Sequence, residues 1–143
     1  MIAAFARYFA LPAAERWRSC EAAQMLFVVR VALALLPLPL ALRLFGIAVG
    51  SASSGRVDPH EAALIGRAIA RAARHVPFRA VCLQQAFAAM LMLRRRGLAV
   101  TVHLGVLREG SELRAHAWSR CGDVPVTGVP AARDFTAVAA FAA

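Results

Sequence analysis

The spacing of apolar positions changes character twice along the chain. From Ala13 to Leu36 apolar residues recur densely enough to predict a helix over 13–36. Pro37 and Pro39 each remove a helix donor and oppose the preceding turn, so a kink is expected there, followed by a short helix over 40–48. Gly50-Ser51-Ala52-Ser53-Ser54-Gly55 is small, polar and without period, which marks a linker over 51–58. Asp58-Pro59-His60-Glu61 then combines an N-cap carboxylate, a proline at the first helical position and an acid three residues after the cap, the pattern of a capping box. A helix over 59–75 follows, with Ala62, Leu64, Ile65, Ala68, Ile69, Ala72 and Val76 at helical spacing and Arg67, Arg71 and Arg74 on another face. Val81 to Arg96 continues helically along the stripe Leu83, Ala86, Phe87, Met90 and Leu91, and Gly97 ends it.

Beyond Gly97 the period becomes two. Ala99 to Leu107 reads as a strand, 108–112 as a turn, Leu113 to Arg120 as a second strand, Cys121-Gly122-Asp123 as a tight turn and Val124 to Thr127 as a third strand. Helices followed by an antiparallel meander predict an α+β fold. The expected organisation is an apolar helical region over 1–50, a linker over 51–58 and a folded domain over 59–143.

Composition narrows the classes. The 143 residues are one domain's worth of chain, and 60% hydrophobic with 17% charged excludes disorder by low hydrophobicity. The net charge of +9 comes from arginine alone, beside 33 alanines, so part of it reflects a compositional drift toward Ala and Arg. The arginines are scattered from Arg7 to Arg133, whereas a nucleic-acid binder gathers them on one face; no nucleic-acid partner is expected. The one run, Arg94-Arg95-Arg96, sits where positive charge favours a helix C-terminus. Arg30 and Arg43 interrupt the segment Met25–Val49 and leave Val31–Leu42 as its longest uncharged stretch, shorter than the ~20 residues of a spanning helix. That segment is expected to pack on the domain, on a partner protein or against a membrane surface. Cys20, Cys82 and Cys121 are odd in number and lack CxxC spacing, which argues against a disulfide framework or zinc site and for a reducing, cytoplasmic setting. Glu15, Arg16 and Arg18 stand where a secretory signal would be apolar. With no phosphate-cradling glycine loop and no metal constellation, no cofactor or metal is expected.

The candidate chemistry centres on Cys82 and His116. Cys82 stands at a helix start, where unpaired amides and the dipole favour a thiolate, and where a backbone N–H can donate to a developing oxyanion. His116 lies mid-strand and shares a face with Arg114, Trp118 and Arg120 by alternation. A strand crossing the helix start would let a neutral imidazole take the thiol proton. Spacing alone does not join the two, and a free cysteine is most often a small buried hydrophobe.

The ordered set Pro77-Phe78-Arg79-Ala80-Val81-Cys82-Leu83-Gln84-Gln85-Ala86, Leu93-Arg94-Arg95-Arg96-Gly97-Leu98, His103-Leu104-Gly105-Val106, Ala115-His116-Ala117-Trp118 and Val126-Thr127-Gly128 resembles the B2 proteins of lasso-peptide biosynthesis. Those are stand-alone leader peptidases with a transglutaminase-like, papain-related cysteine-protease fold. The resemblance covers residues 59–141, and the amino-terminal helices match in apolar character only. It implies Cys82 as nucleophile, His116 as general base, and cleavage of the bond joining leader to core in a ribosomally made precursor peptide. It also implies two partners: a small recognition-element protein that presents the leader, and an ATP-dependent cyclase that takes the freed core.

The chain departs from the triad pattern at its third member. Antiparallel pairing through a turn at Gly122-Asp123 places His116 opposite about Val129, yet 127–129 hold Thr127, Gly128 and Val129, with no carboxylate. Asp123 falls in the turn and Asp134 lies further on, returned only if the chain reverses at Pro130. The pair is then a Cys–His dyad with no orienting group assigned, for which a backbone carbonyl or water would suffice at some cost in rate. His60, His75, His103, Cys20 and Cys121 are expected to be structural, Trp118 to shield the base or fill the core, and Gln84 and Gln85 to face outward. Two other readings stay open: a non-catalytic transglutaminase-like scaffold, and amide cross-linking by the same dyad.

Overall fold

The computed structural model describes residues 1–50 and 53–142, so Ser51 and Ala52 of the expected linker lie outside the described residues. The helices are α1 (Ile2–Phe9), α2 (Ala13–Leu35), α3 (Leu38–Leu44), α4 (Pro59–Ala73) and α5 (Cys82–Arg95). The strands are β1 (Ala48–Val49), β2 (Thr101–Glu109), β3 (Glu112–Cys121), β4 (Val124–Thr127) and β5 (Thr136–Ala142), with a 3₁₀ turn over Pro130–Asp134. They form one antiparallel sheet in the order β1-β5-β2-β3-β4. The α+β expectation is met, and no helix among the described residues is long and apolar enough to cross a membrane.

The helix boundaries follow local chemistry. Leu36 is extended before Pro37 and closes α2, while Pro39 falls in the first turn of α3, where a missing N–H costs nothing. That is why α3 begins at Leu38, two residues before the expected start. Asp58 accepts from the Glu61 amide at 3.1 Å, but the Glu61 carboxylate turns away from the cap to Arg18 and Arg96, so the expected capping box is only half made. Gly97, at φ +68°, ends α5: the Leu98 amide reaches the Leu93 carbonyl and the Gly97 amide the Arg94 carbonyl.

One core runs from α2 through α4 and α5 to the sheet. Leu26 and Val29 of α2, Ile65 and Ile69 of α4, and Phe87 and Met90 of α5 are buried with Val102, Ala117, Cys121 and Phe141. The alternation of β3 sends Ala117, Ser119 and Cys121 toward α5, and His116, Trp118 and Arg120 to the other side of the sheet. The Arg94–Arg96 run does more than face the helix dipole. Arg96 binds both Glu21 (2.6 Å) and Glu61 (3.1 Å), Arg95 binds Glu21, and Arg94 donates to the Phe45 carbonyl, tying the end of α5 to α2, α3 and α4. Arg18 adds a bidentate contact to Glu61 at 2.9 and 3.0 Å.

Three elements escaped the periodicity reading. α1 has no buried residue, β1 is two residues long, and β5 is alanine-rich and inserts between β1 and β2 by long-range pairing.

Candidate active site

Cys82 is the first residue of α5 and sits half-buried at the edge of the core. Val81, its N-cap residue, is extended and offers no side-chain acceptor, and the first turn of α5 holds no acid. Among the described residues no protein side chain accepts from the amides of Cys82, Leu83 or Gln84, the orphan donors of the helix start. The approach to Cys82 is held instead by the two glutamines after it. Gln84 Oε1 accepts from the Val81 amide at 3.3 Å, and Gln85 Nε2 donates to the Ala80 carbonyl at 2.9 Å. Gln84 is buried, which corrects the expectation that both face outward: inside the first turn its amide serves a main-chain donor that valine cannot cap. The glutamine three residues after the N-cap was the signal for this contact.

His116 is half-buried on the opposite side of the sheet from the α5 core face. Its Nε2 lies 2.7 Å from the carbonyl oxygen of Gly128. A carbonyl can only accept, so Nε2 carries a proton in this contact, and the neutral form of the ring held this way has its lone pair on Nδ1. The position where an orienting carboxylate was expected thus supplies a main-chain oxygen. Gly128 has φ +67°, and a Cβ there would stand 2.7 Å from the Ala117 oxygen and 3.0 Å from His116 Nε2, so a side chain at 128 would displace the imidazole it was meant to orient. Asp123 lies in the two-residue turn between β3 and β4, where its main-chain oxygen accepts from Arg120. The chain does turn back at Pro130, but the residue it returns to His116 is Phe135, with ring centroids 5.3 Å apart, while Asp134 is exposed.

The imidazole also belongs to a stack. His103, Trp118 and His116 lie with neighbouring planes 19° and 21° apart and centroids at 5.6 and 6.1 Å. The pairing of His103 with Trp118 and of Gly105 with His116 places the four on one face, and the indole covers Gly105 so closely that a Cβ there would be 2.6 Å from it. Trp118 is buried, yet it lies outside the core cluster shared with α5, and its indole covers His116 and Gly105 on the other face of the sheet. Burial, with a smaller contribution from the charge of Arg120, pushes His103 below the ordinary histidine value and so favours its neutral form.

Cys82 and His116 are not joined by a hydrogen bond among the described residues; the contacts of His116 are to Gly128, Trp118 and Phe135. Cys121 is fully buried in the core. Cys20 is exposed and lies 2.9 Å from the Tyr8 hydroxyl, a contact that raises the phenol above its ordinary value. His75 Nδ1 is 2.8 Å from the Arg71 carbonyl at the end of α4, and His60 is exposed in its first turn. No group of three or more metal-ligating side chains occurs among the described residues.

No curated protein and no solved structure matches the chain. A family model described as transglutaminase-like superfamily matches residues 25–140, from the middle of α2 into β5. A match of that extent takes in Cys82, His116 and the core that carries both, and the chain belongs to the transglutaminase-like superfamily.

Proposed function

We propose that this chain is a cysteine peptidase that removes the leader from a ribosomally made lasso-peptide precursor, with Cys82 as nucleophile and His116 as general base. The observation that carries the reading is the bond from His116 Nε2 to the Gly128 carbonyl, which fixes the tautomer a base needs. Nδ1 takes the proton of the Cys82 thiol, and the sulfur attacks the scissile carbonyl carbon. The oxygen of that carbonyl becomes an oxyanion facing the unfilled amides at the start of α5. The imidazolium, stabilised by the Gly128 oxygen, returns its proton to the departing amine, and water, deprotonated at Nδ1, then frees the leader as an acid. The leader as substrate rests on the ordered likeness of motifs from Pro77 to Gly128.

The chemistry requires Nδ1 within hydrogen-bond reach of Cys82, whereas β3 directs His116 to the side of the sheet away from α5, so the reading needs a rearrangement of β3 or of the α5 start that brings the two together. The leader arrives on a small recognition-element protein, and the surface for that partner, or for the ATP-dependent cyclase, is the exposed apolar side of α1 and α2, where Ile2, Phe5, Phe9, Trp17 and Phe27 are open. A membrane surface is the other occupant that such a face suits.

The test is mass spectrometry of the precursor incubated with the chain and its leader-binding partner. Cleavage at one bond, reduced roughly 10³-fold or more in both Cys82→Ala and His116→Ala, is expected. A second reading, a non-catalytic transglutaminase-like scaffold, draws on the missing carboxylate at 127–129 and the absent bond between Cys82 and His116. No cleavage by a folded, partner-bound wild type would establish it.

A further inference from the structure

On the side of the sheet that carries His116 lies an open groove of about 460 Å³, lined by Trp118 and Arg120 of β3, Pro125 of β4, and Val129, Pro130 and Arg133 of the following turn. Its volume is in the range of ligand sites rather than of packing defects. The groove adjoins the proposed base directly: Trp118 stacks against His116, and Val129 follows the residue whose carbonyl holds the ring.

The walls define what fits. Pro125 and Pro130 have no amide to donate, and with Val129 and the small open part of Trp118 they make an apolar trough. The polar groups are two guanidiniums from two different elements. Arg120 donates only to the Asp123 main-chain oxygen, at 3.2 Å, and Arg133 has no ion-pair partner among the described residues. The acids nearest in sequence, Asp123 and Asp134, pair with neither and do not line the groove. By contrast, the arginines that join the helices (Arg18, Arg71, Arg95 and Arg96) are all paired with glutamates. An apolar peptide laid into the trough would strip water from both guanidiniums without return, whereas a carboxylate would accept from both.

We propose that this groove is a peptide subsite that takes a carboxylate side chain, its aliphatic part against Pro125, Val129 and Pro130 and its charge between Arg120 and Arg133. The assignment of the groove to a peptide substrate rests on the peptidase reading above. The binding it predicts is measurable without cleavage, so the two fail separately.

The experiment uses the full chain carrying Trp17→Phe, an exposed position, so that Trp118 supplies the one indole resonance. The probes are N-acetyl-Ala-Glu-Ala-amide and its Ala-Gln-Ala counterpart, titrated while the indole N–H shift of Trp118 is followed by NMR. The Glu peptide is expected to bind about tenfold more tightly, a difference of about 1.4 kcal/mol. Arg133→Gln alone should reduce that preference to about threefold, and Arg120→Gln with Arg133→Gln should bring the two peptides within about twofold. Arg108→Gln, an exposed arginine on β2 outside the groove, should leave the preference intact. Equal binding of the two peptides, a preference that survives the double substitution, or no response of Trp118 to either peptide would overturn the proposal. Glu-selective binding, together with a wild-type chain that cuts no precursor, would keep the subsite and remove the peptidase.

Discussion

The two helices α4 and α5 share one core but are started by opposite chemistry. At α4 an aspartate caps the Glu61 amide, a proline fills the first position, and a glutamate in the first turn adds negative charge to the positive end of the dipole. At α5 the cap residue is a valine, the first turn has no acid, and the one side-chain contact to the cap runs backward, from the Val81 amide to Gln84. The first start is satisfied from within. The second keeps its donors and its positive end available at the residue that carries the sulfur. A helix start that served only stability would be worth about 1 kcal/mol more with an aspartate or serine at position 81.

Four substitutions probe this contrast, in order of expected effect. Gly128→Ala attacks the imidazole proposed as the base for the α5 sulfur. It forces a side chain into φ +67° and against the Ala117 oxygen and His116 Nε2, and should cost about 2 kcal/mol in chemical denaturation with a concurrent loss of cleavage. Val81→Asp would make the α5 start resemble that of α4. Thermal stability should rise by about 0.5–1 kcal/mol, while alkylation of Cys82 by iodoacetamide at pH 6 slows roughly fivefold or more, because the new carboxylate lies beside the sulfur. In the parent chain Cys82 should react ahead of Cys20 although Cys20 is the more exposed, and Cys121 should stay unmodified until the chain unfolds. If the order simply follows exposure, the contrast between the helix starts has no chemical meaning. Asp58→Ala should cost about 1 kcal/mol and leave the alkylation rate of Cys82 unchanged.

The smallest effect concerns Glu61. Its bond to Arg18 holds its carboxyl below the ordinary carboxylate value, so the unfolded chain takes up the proton first as pH falls. The stabilisation is complete above about pH 4.3 and disappears as the pH drops through the lower folded value. The stability advantage of wild type over Glu61→Gln, about 1 kcal/mol or less at pH 7, should therefore close in acid denaturation below that point. An advantage that persists to pH 2 would show that the ion pairs of Glu61 do not carry it.

The legible parts of this molecule were those whose cause is local. Alternation located β2, β3 and β4 to within two residues, and the Asp58-Pro59 pair located the start of α4. β5 was not legible because Thr136–Ala142 is mostly alanine, and what makes it a strand is the vacancy between β1 and β2. The partners of Glu61 come from Arg18 and Arg96, far away in sequence, so its capping role was read and its tertiary role was not. At the candidate site the sequence pointed to positions 127–129 as the place where His116 is oriented. It could not show that a main-chain oxygen does it, since that depends on the left-handed turn at Gly128.

The ends of the sheet have a consequence for how a peptide can approach. β1 offers two residues at one edge, and β4 offers four at the other, with Pro125 among them and α4 so close that a Cβ on Gly66 would meet the Val126 oxygen at 2.6 Å. The β4 border is no template on which an incoming chain can zip up as an extra strand, whereas β1 pairs only with Phe141 and Ala142 and leaves Thr136–Ala139 of β5, among the described residues, as the edge where an extended peptide can add by its backbone.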